Sequence, residues 1–294
     1  MPVRAEAVMG TVVTIHVVRE SPDAAAAVAR AFDWFHEIER RCTRFVPSSE
    51  LMQLCAQPGV PVSVSPILCE AVQFALMVAE ESGGAFDPTV GHRMEARGFN
   101  REHRTGDTVH TAVIPDADVS YRDVELDHDY RTITLRRPLT LDLGAVAKGL
   151  AVDAAARELA PFRDFAIDAG GDLYLGGLNP QGEPWSVGIR HPRRDGELIE
   201  TLRVSNQAVC TSGDYERGRH IMDARVDEVA RAAASATVAA SGAMLADALA
   251  TAAFALGPVD GIHFLERLDV EGLIFADAVD SLQRFETRGL RLAA

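Results

Sequence analysis

The run "SGAMLADALATAAFALG" (residues 241–257) contains one charged residue, Asp247, and a lone threonine hydroxyl, Thr251, four positions later. On a helix that spacing places both side chains on one face. A buried carboxylate without a partner is costly, so such a group is normally paired or bound to a metal ion. The alternative is an Asp at the wet edge of a core helix, with Thr251 bonding back to a carbonyl. This segment alone leaves both readings open.

Four other stretches gather polar groups in apolar or glycine-rich surroundings. In "GAFDPTVG" (residues 84–91) Asp87 precedes Pro88 and reads as the N-cap of a helix. In "LDLGAVAKGLAVD" (residues 141–153) a strand ends at Asp142 and a helix begins after Gly144, with Lys148 one turn in. Such a junction can hold an anion, although the spacing of a phosphate-binding GxxxxGK[ST] loop is absent. "DAGGDLYLGG" (residues 168–177) carries paired glycines after a strand, which permit close backbone approach. "CTSGDYERGRHIMD" (residues 210–223) packs Ser212, Asp214, Glu216, His220 and Asp223 together. Ile221 and Met222 read as the start of a buried strand, which makes His220 an acid/base candidate at a strand mouth. A hydrogen-bonded structural histidine explains it equally well.

These residues need elements to hold them. The pattern predicts a strand over residues 12–18, a helix from Ser21-Pro22 to about Arg40, and a short helix capped by Ser48 or Ser49. A further helix runs from Ser65-Pro66 to Ser82, stopped by Gly83-Gly84. Residues 98–115 are polar and irregular, a candidate mobile insertion. Three short strands are expected over residues 121–143. Further strands follow at 165–167, 185–189, 198–204, 208–211, 236–240 and 273–275, with helices at 144–160, over the Asp247 segment, and at 262–268. Strands come in runs rather than in βαβ alternation, which predicts an α+β fold of mostly antiparallel sheets with packed helices, in one domain over residues 1–294.

Composition narrows the partners. The 294 residues are 47% hydrophobic and 24% charged, an ordinary globular profile, with a net charge of -14 and a pI near 5.1. Such a surface repels nucleic acid and anionic membrane, so neither is an expected partner. Any anionic ligand must be held by a metal, by backbone N–H groups or by a few placed cations. Cys42, Cys55, Cys69 and Cys210 show no CxxC spacing and suggest reduced thiols. No apolar stretch reaches the length of a membrane span, and the start does not read as a signal peptide. A cytoplasmic location is expected.

Taken in order, "FDPTVG", "LDLGAVAKGLAVD", "DAGGDLYLGG", "TSGDYER", "HIMD" and "ADALATAAFALG" resemble the ApbE-type flavin transferases. The likeness runs from "MGTVVTIHV" at Met9 to about Gly257. It implies an α+β fold that binds FAD with Mg²⁺, cleaves the pyrophosphate and passes FMN to a threonine of an acceptor protein, releasing AMP. It implies metal ligands at Asp247, Thr251 and the backbone oxygen of Ala145, and catalytic roles for His220, Lys148 and Asp247. Cofactor contacts are implied for Cys55, Asp87, Gly170, Gly171, Asp172, Ser212, Gly213, Asp214 and Glu216. The Mg²⁺ set agrees with elementary chemistry, since this ion takes oxygen ligands and leaves positions for phosphate.

Two departures stand out. Relatives usually continue "HxxDPxTG", whereas Ala224 follows Asp223 here and no Thr-Gly turn comes after it, so a looser loop and a less firmly placed His220 are expected. Cys55 stands where relatives commonly carry Asn beside the flavin. Two other activities use the same residues: a Mg²⁺-dependent FAD pyrophosphatase giving FMN and AMP, and a protein that holds FAD without turnover.

Overall fold

The computed structural model describes residues 3–19, 21–116, 118–215, 220–279 and 281–290. β1 (Val3–Val8) and β2 (Thr11–Val17) form a hairpin that turns at Met9 and Gly10, with φ of 53° and 73°. α1 (Pro22–Cys42) is opened by Ser21, whose hydroxyl accepts from the Ala24 N–H at 3.0 Å, and by Pro22. Its buried Ala24, Ala27, Val28, Ala31, Phe35 and Ile38 recur at helical spacing. α2 (Glu50–Cys55) is capped by Ser49. β3 (Val62–Ser63) leads to α3 (Pro66–Glu81), capped by Ser65. A short α4 (Gly91–Ala96) follows, then β4 (Val124–Asp127) and β5 (Thr132–Leu135), which join β3 in a three-stranded sheet.

The second half begins with α5 (Gly144–Leu159), β6 (Phe165–Ala169), β7 (Leu173–Gly176), β8 (Trp185–Arg190), β9 (Leu198–Val204) and β10 (Gln207–Gly213). It continues through β11 (Met222–Asp223), β12 (Glu228–Val229), β13 (Ser235–Ala240), α6 (Ala243–Leu256), α7 (Pro258–Arg267), β14 (Glu271–Ala278) and β15 (Ser281–Glu286). The main sheet has eight strands in the order β1-β2-β6-β7-β10-β13-β14-β15. Every neighbouring pair is antiparallel. Side chains alternate between its faces with the period of two that a pleated strand imposes. Along β10, Ala208 and Cys210 join the core beneath α1, α5 and α6, whereas Val209 turns to the opposite face. There the β8–β9 hairpin covers it with Val187, Ile189, Leu202 and Val204. The fold is α+β, as the strand runs predicted.

Two expectations are corrected. Asp87 and Pro88 start no helix: Asp87 Oδ1 accepts from the Thr89 N–H at 2.8 Å and from its hydroxyl at 2.7 Å, closing a tight turn instead. Of the three strands expected over residues 121–143, only β4 and β5 form. After β5 the chain bends over residues 136–138, and Thr140 then makes a single parallel bridge to Val90.

The contact of α5 with α6 decides where the chemistry sits. A Cβ on Gly149 would lie 2.5 Å from the Ala243 carbonyl oxygen, so only glycine admits α6 this close. One turn later Asp153 accepts from the Ala243 and Met244 N–H groups at 2.6 and 3.0 Å, capping α6 from a neighbouring helix. Burial pushes the Asp153 carboxyl up, and those two bonds only partly oppose it. Lys148, next to Gly149, is thereby set against Asp247, one turn into α6.

Candidate active site

A cleft of about 510 Å³ opens where the β1–β2 turn, the start of α5, the end of β10 and the middle of α6 converge. At its floor Lys148 makes an ion pair with Asp172, and its Nζ lies 3.4 Å from Asp247 Oδ2. All three side chains are at most 16% exposed. Two carboxylates against one ammonium leave one negative charge in a place poor in water, an arrangement that invites a second cation. The thiol of Cys210, beneath the same floor, is pushed well up by its burial and by the charge of Asp247. Ser212 and Thr251 hydroxyls stand 3.0 Å apart beside these groups.

These donors suit Mg²⁺. Asp247, Thr251 and Ala145 all line the cleft and offer a carboxylate, a hydroxyl and a carbonyl, the hard oxygens this ion takes. Among the described residues no group of three His, Cys, Asp or Glu side chains could hold a metal. A set this poor in protein ligands leaves coordination positions for phosphate oxygens.

The lining carries a second charged group, Arg44 with Asp142. Arg44 donates from Nε to Asp142 Oδ2 at 2.6 Å and from Nη2 to the Phe99 carbonyl, and its guanidinium lies 4.3 Å above the Phe45 ring. Asp142 also accepts from the Gly144 N–H at 2.8 Å. Burial alone would raise the Asp142 carboxyl; Arg44, the Gly144 N–H and the charge of His220 hold it below its ordinary value. His220 lines the cleft, with the Phe99 ring centroid 6.1 Å from its own.

Residues 9–274 match the ApbE family. The chain belongs to that family. It is 32% identical to an FAD:protein FMN transferase of Rhodobacter capsulatus, over 92% of this chain and 55% of that protein. It is also 32% identical to an FAD:protein FMN transferase of Treponema pallidum, over 86% of this chain and 78% of that protein. The chain therefore spans little more than half of the first relative's length. Among solved structures, the flavin transferase ApbE of Vibrio cholerae superposes with a TM-score of 0.85 at 24% identity, covering 98% of this chain and 97% of that one. An ApbE protein of Thermotoga maritima gives 0.82 at 25% identity, covering 97% and 96%.

Of the residues that the ApbE resemblance singles out, Asp87, Ala145, Lys148, Gly170, Asp172, Ser212, Gly213, His220, Asp247 and Thr251 all line the one cleft. Gly170 is there for want of a side chain: its φ is +66°, and a Cβ would lie 2.1 Å from Thr11 Oγ1. Asp87 is walled in, accepting from Thr89 and, through Oδ2, from the Tyr121 N–H at 2.9 Å, and burial pushes its carboxyl up. Three others lie off the cleft lining. Cys55 is fully buried behind the wall, its Sγ accepting from the Leu141 N–H at 3.5 Å, while Cys42 takes a place on the lining. Gly171 donates to Asp168 Oδ1 at 2.8 Å. Asp214 is held by the two Nη groups of Arg193, at 2.6 and 3.1 Å. Glu216 lies outside the described residues.

The sequence carries no local signal that pairs Arg44 with Asp142, because 98 positions separate them. It also concealed the role of residues 98–115. Phe99, Arg101 and His103 from that stretch line the cleft. The stretch is folded around Glu102, which accepts from the Arg104 and Thr105 N–H groups at 3.1 and 2.7 Å, and around Asn100, which donates to the Val109 carbonyl at 3.1 Å. The loop after Asp223, expected to be loose, is held at several points. Arg225 forks onto Asp223 at 2.9 and 2.7 Å, and the Ala224 N–H donates to the Ala85 carbonyl at 3.2 Å. A second hollow of about 600 Å³ lies around Asp153, Arg157 and Tyr174, where Asp153 is already committed to α6. No helix among the described residues is long and apolar enough to cross a membrane.

Proposed function

We propose that this chain is a Mg²⁺-dependent FAD:protein FMN transferase that moves FMN from FAD to a threonine hydroxyl of an acceptor protein and releases AMP. The observation that carries the reading is the Lys148–Asp172–Asp247 cluster, short of one positive charge, with hydroxyls beside it and His220 in the same cleft. The names of the curated relatives support it. Asp247, Thr251 and the Ala145 carbonyl would hold Mg²⁺, which supplies charge neutralisation on the pyrophosphate when bound. The Lys148 ammonium stabilises charge that grows on the phosphoryl oxygens as the bond to AMP lengthens. His220 orients the threonine hydroxyl and takes its proton as the oxygen attacks the FMN-side phosphorus; the new P–O bond forms as the bridging P–O bond breaks toward AMP. Gly170 lets the β6–β7 turn pack against Thr11 at the edge of the cleft, and the buried thiols of Cys42 and Cys55, pushed up to about 12 and about 11, stay protonated and inert. Four free, buried thiols also support a cytoplasmic setting.

The test is incubation with FAD and MgCl₂, with and without a threonine-bearing peptide, following AMP release and peptide fluorescence. AMP release together with a labelled peptide supports transfer. AMP release without labelling makes the chain a pyrophosphatase, and bound FAD without AMP makes it a flavin-holding protein. Replacing His220 with Gln lowers turnover by roughly 10²–10⁴-fold, the range for a lost general base, with FAD affinity little changed.

A further inference from the structure

α4 and the residues that flank it carry two pairs at a spacing of four. Val90 and Met94 line the cleft. Arg93 and Arg97 instead reach the β11–β12 hairpin, whose strand β11 begins two residues after His220. The Arg93 side chain is 17% exposed; its Nη1 donates to the Ala224 carbonyl at 3.1 Å, its Nη2 to the Val119 carbonyl at 3.4 Å, and its Nε lies 3.7 Å from Asp227 Oδ1. Arg97 donates from Nη2 to the Asp227 carbonyl at 2.8 Å and to its carboxylate at 3.4 Å, and from Nη1 to Met222 Sδ at 3.3 Å. Asp227 sits at φ +54°, a left-handed conformation that Asp tolerates and that the contacts from Arg93 and Arg97 hold in place. The Ala230 N–H closes the base of the hairpin on the Ile221 carbonyl at 3.0 Å.

α4 is itself fixed. The Gly91 N–H donates to the Thr140 carbonyl at 3.1 Å, and a Cβ on Gly91 would lie 2.6 Å from that oxygen. Thr140 lies two residues before Asp142, so a rigid path runs from the Asp142 wall through α4 to the hairpin below His220. A guanidinium with several donors in a fixed fork suits this task better than an ammonium, which acts as a point charge.

We propose that Arg93 and Arg97 are positioning residues: they clamp the β11–β12 hairpin to α4 and so fix the imidazole of His220 against the Asp142 side of the cleft. The proposal rests on the reading of His220 as the group that handles the acceptor hydroxyl. Its test begins with a readout independent of turnover. In protein labelled at histidine, Arg97→Gln shifts or broadens the His220 imidazole resonances, assigned by their loss in His220→Gln, and leaves those of His36 and His263 in place. Turnover of Arg97→Gln falls at least tenfold, with the KM for FAD within about twofold. Added to His220→Gln, the same substitution lowers turnover by less than twofold further, since residues acting through one group are not additive. Asp227→Asn, which keeps the left-handed turn and removes the shared carboxylate, moves the same resonances less. Unchanged His220 resonances in both variants overturn the clamp, as does an undiminished loss of turnover in the His220→Gln background. Full activity in His220→Gln overturns the catalytic reading of that residue instead, while the resonances still decide the clamp.

Discussion

Lys148 faces two carboxylates, so its ammonium serves the fold before it serves chemistry. Lys148→Met leaves Asp172 and Asp247 buried beside each other without a cation, and breaking such a set costs about 3–5 kcal/mol. The variant melts lower than wild type without metal, and MgCl₂ raises its melting temperature more than it raises that of wild type. Its turnover at saturating FAD falls further than its FAD affinity, the mark of a group that acts on the transition state. Asp142→Asn strands the buried Arg44 guanidinium in the same way. Because the folded-state carboxyl is held below its ordinary value near 3.9, the pair contributes fully above about pH 4 and is lost as pH falls through that lower value. Denaturation across the acid range therefore shows a flatter decline for the variant than for wild type. Lys148, Asp247 and Thr251 stand out in the sequence because their types are odd for their surroundings, and all three line the cleft. Arg44 was not, since one arginine among many carries no sign of its partner.

The helices were read from their first turns: Ser21-Pro22, Ser49 and Ser65-Pro66 each supply a capping oxygen, and each opens a helix where expected. A helix does follow Asp87-Pro88, but α4 opens only at Gly91, three residues beyond the start expected at Pro88. Asp87 was misread because a cap and a tight turn share one local bonding pattern, an oxygen that accepts from the N–H two residues on, and only the backbone that follows distinguishes them. The docking of α5 on α6 gives an element-scale prediction. Gly149→Ala forces the two helices apart against the Ala243 carbonyl, at a cost of about 1–3 kcal/mol for overpacking. It also moves Asp247 from Lys148, so turnover of FAD measured with MgCl₂ falls by more than the loss of stability explains. Steady-state rates beside urea melts separate the two effects.

At the scale of the molecule, one eight-stranded sheet separates two unequal layers. That β10 and β13 are strands could be read from sequence, but nothing local announced that β8 and β9 would leave the main sheet and cover its far face. Arg193 ties that cover down, bridging Asp214 at the end of β10 and Asp277 on β14 at 2.6 to 3.1 Å. Arg193→Ala speeds hydrogen exchange in β8 and β9 while α5, α6 and β13 keep their protection, with a shift in overall stability of about 1 kcal/mol or less, as befits partly exposed ion pairs. Equal loss of protection throughout would show that the two layers open together.

The string "AKGLAVD" joins two kinds of information that a search by motif cannot separate. Lys148 carries the positive charge at the floor of the cleft, whereas Gly149 and Asp153 fasten one helix onto another. A lineage without catalysis could change the lysine only together with Asp172 and Asp247, whose buried charges it balances, yet would still need the glycine and the aspartate to keep its shape. A chain that retains only those two therefore advertises an inherited scaffold, and the lysine is the letter to check before an activity is assigned to it.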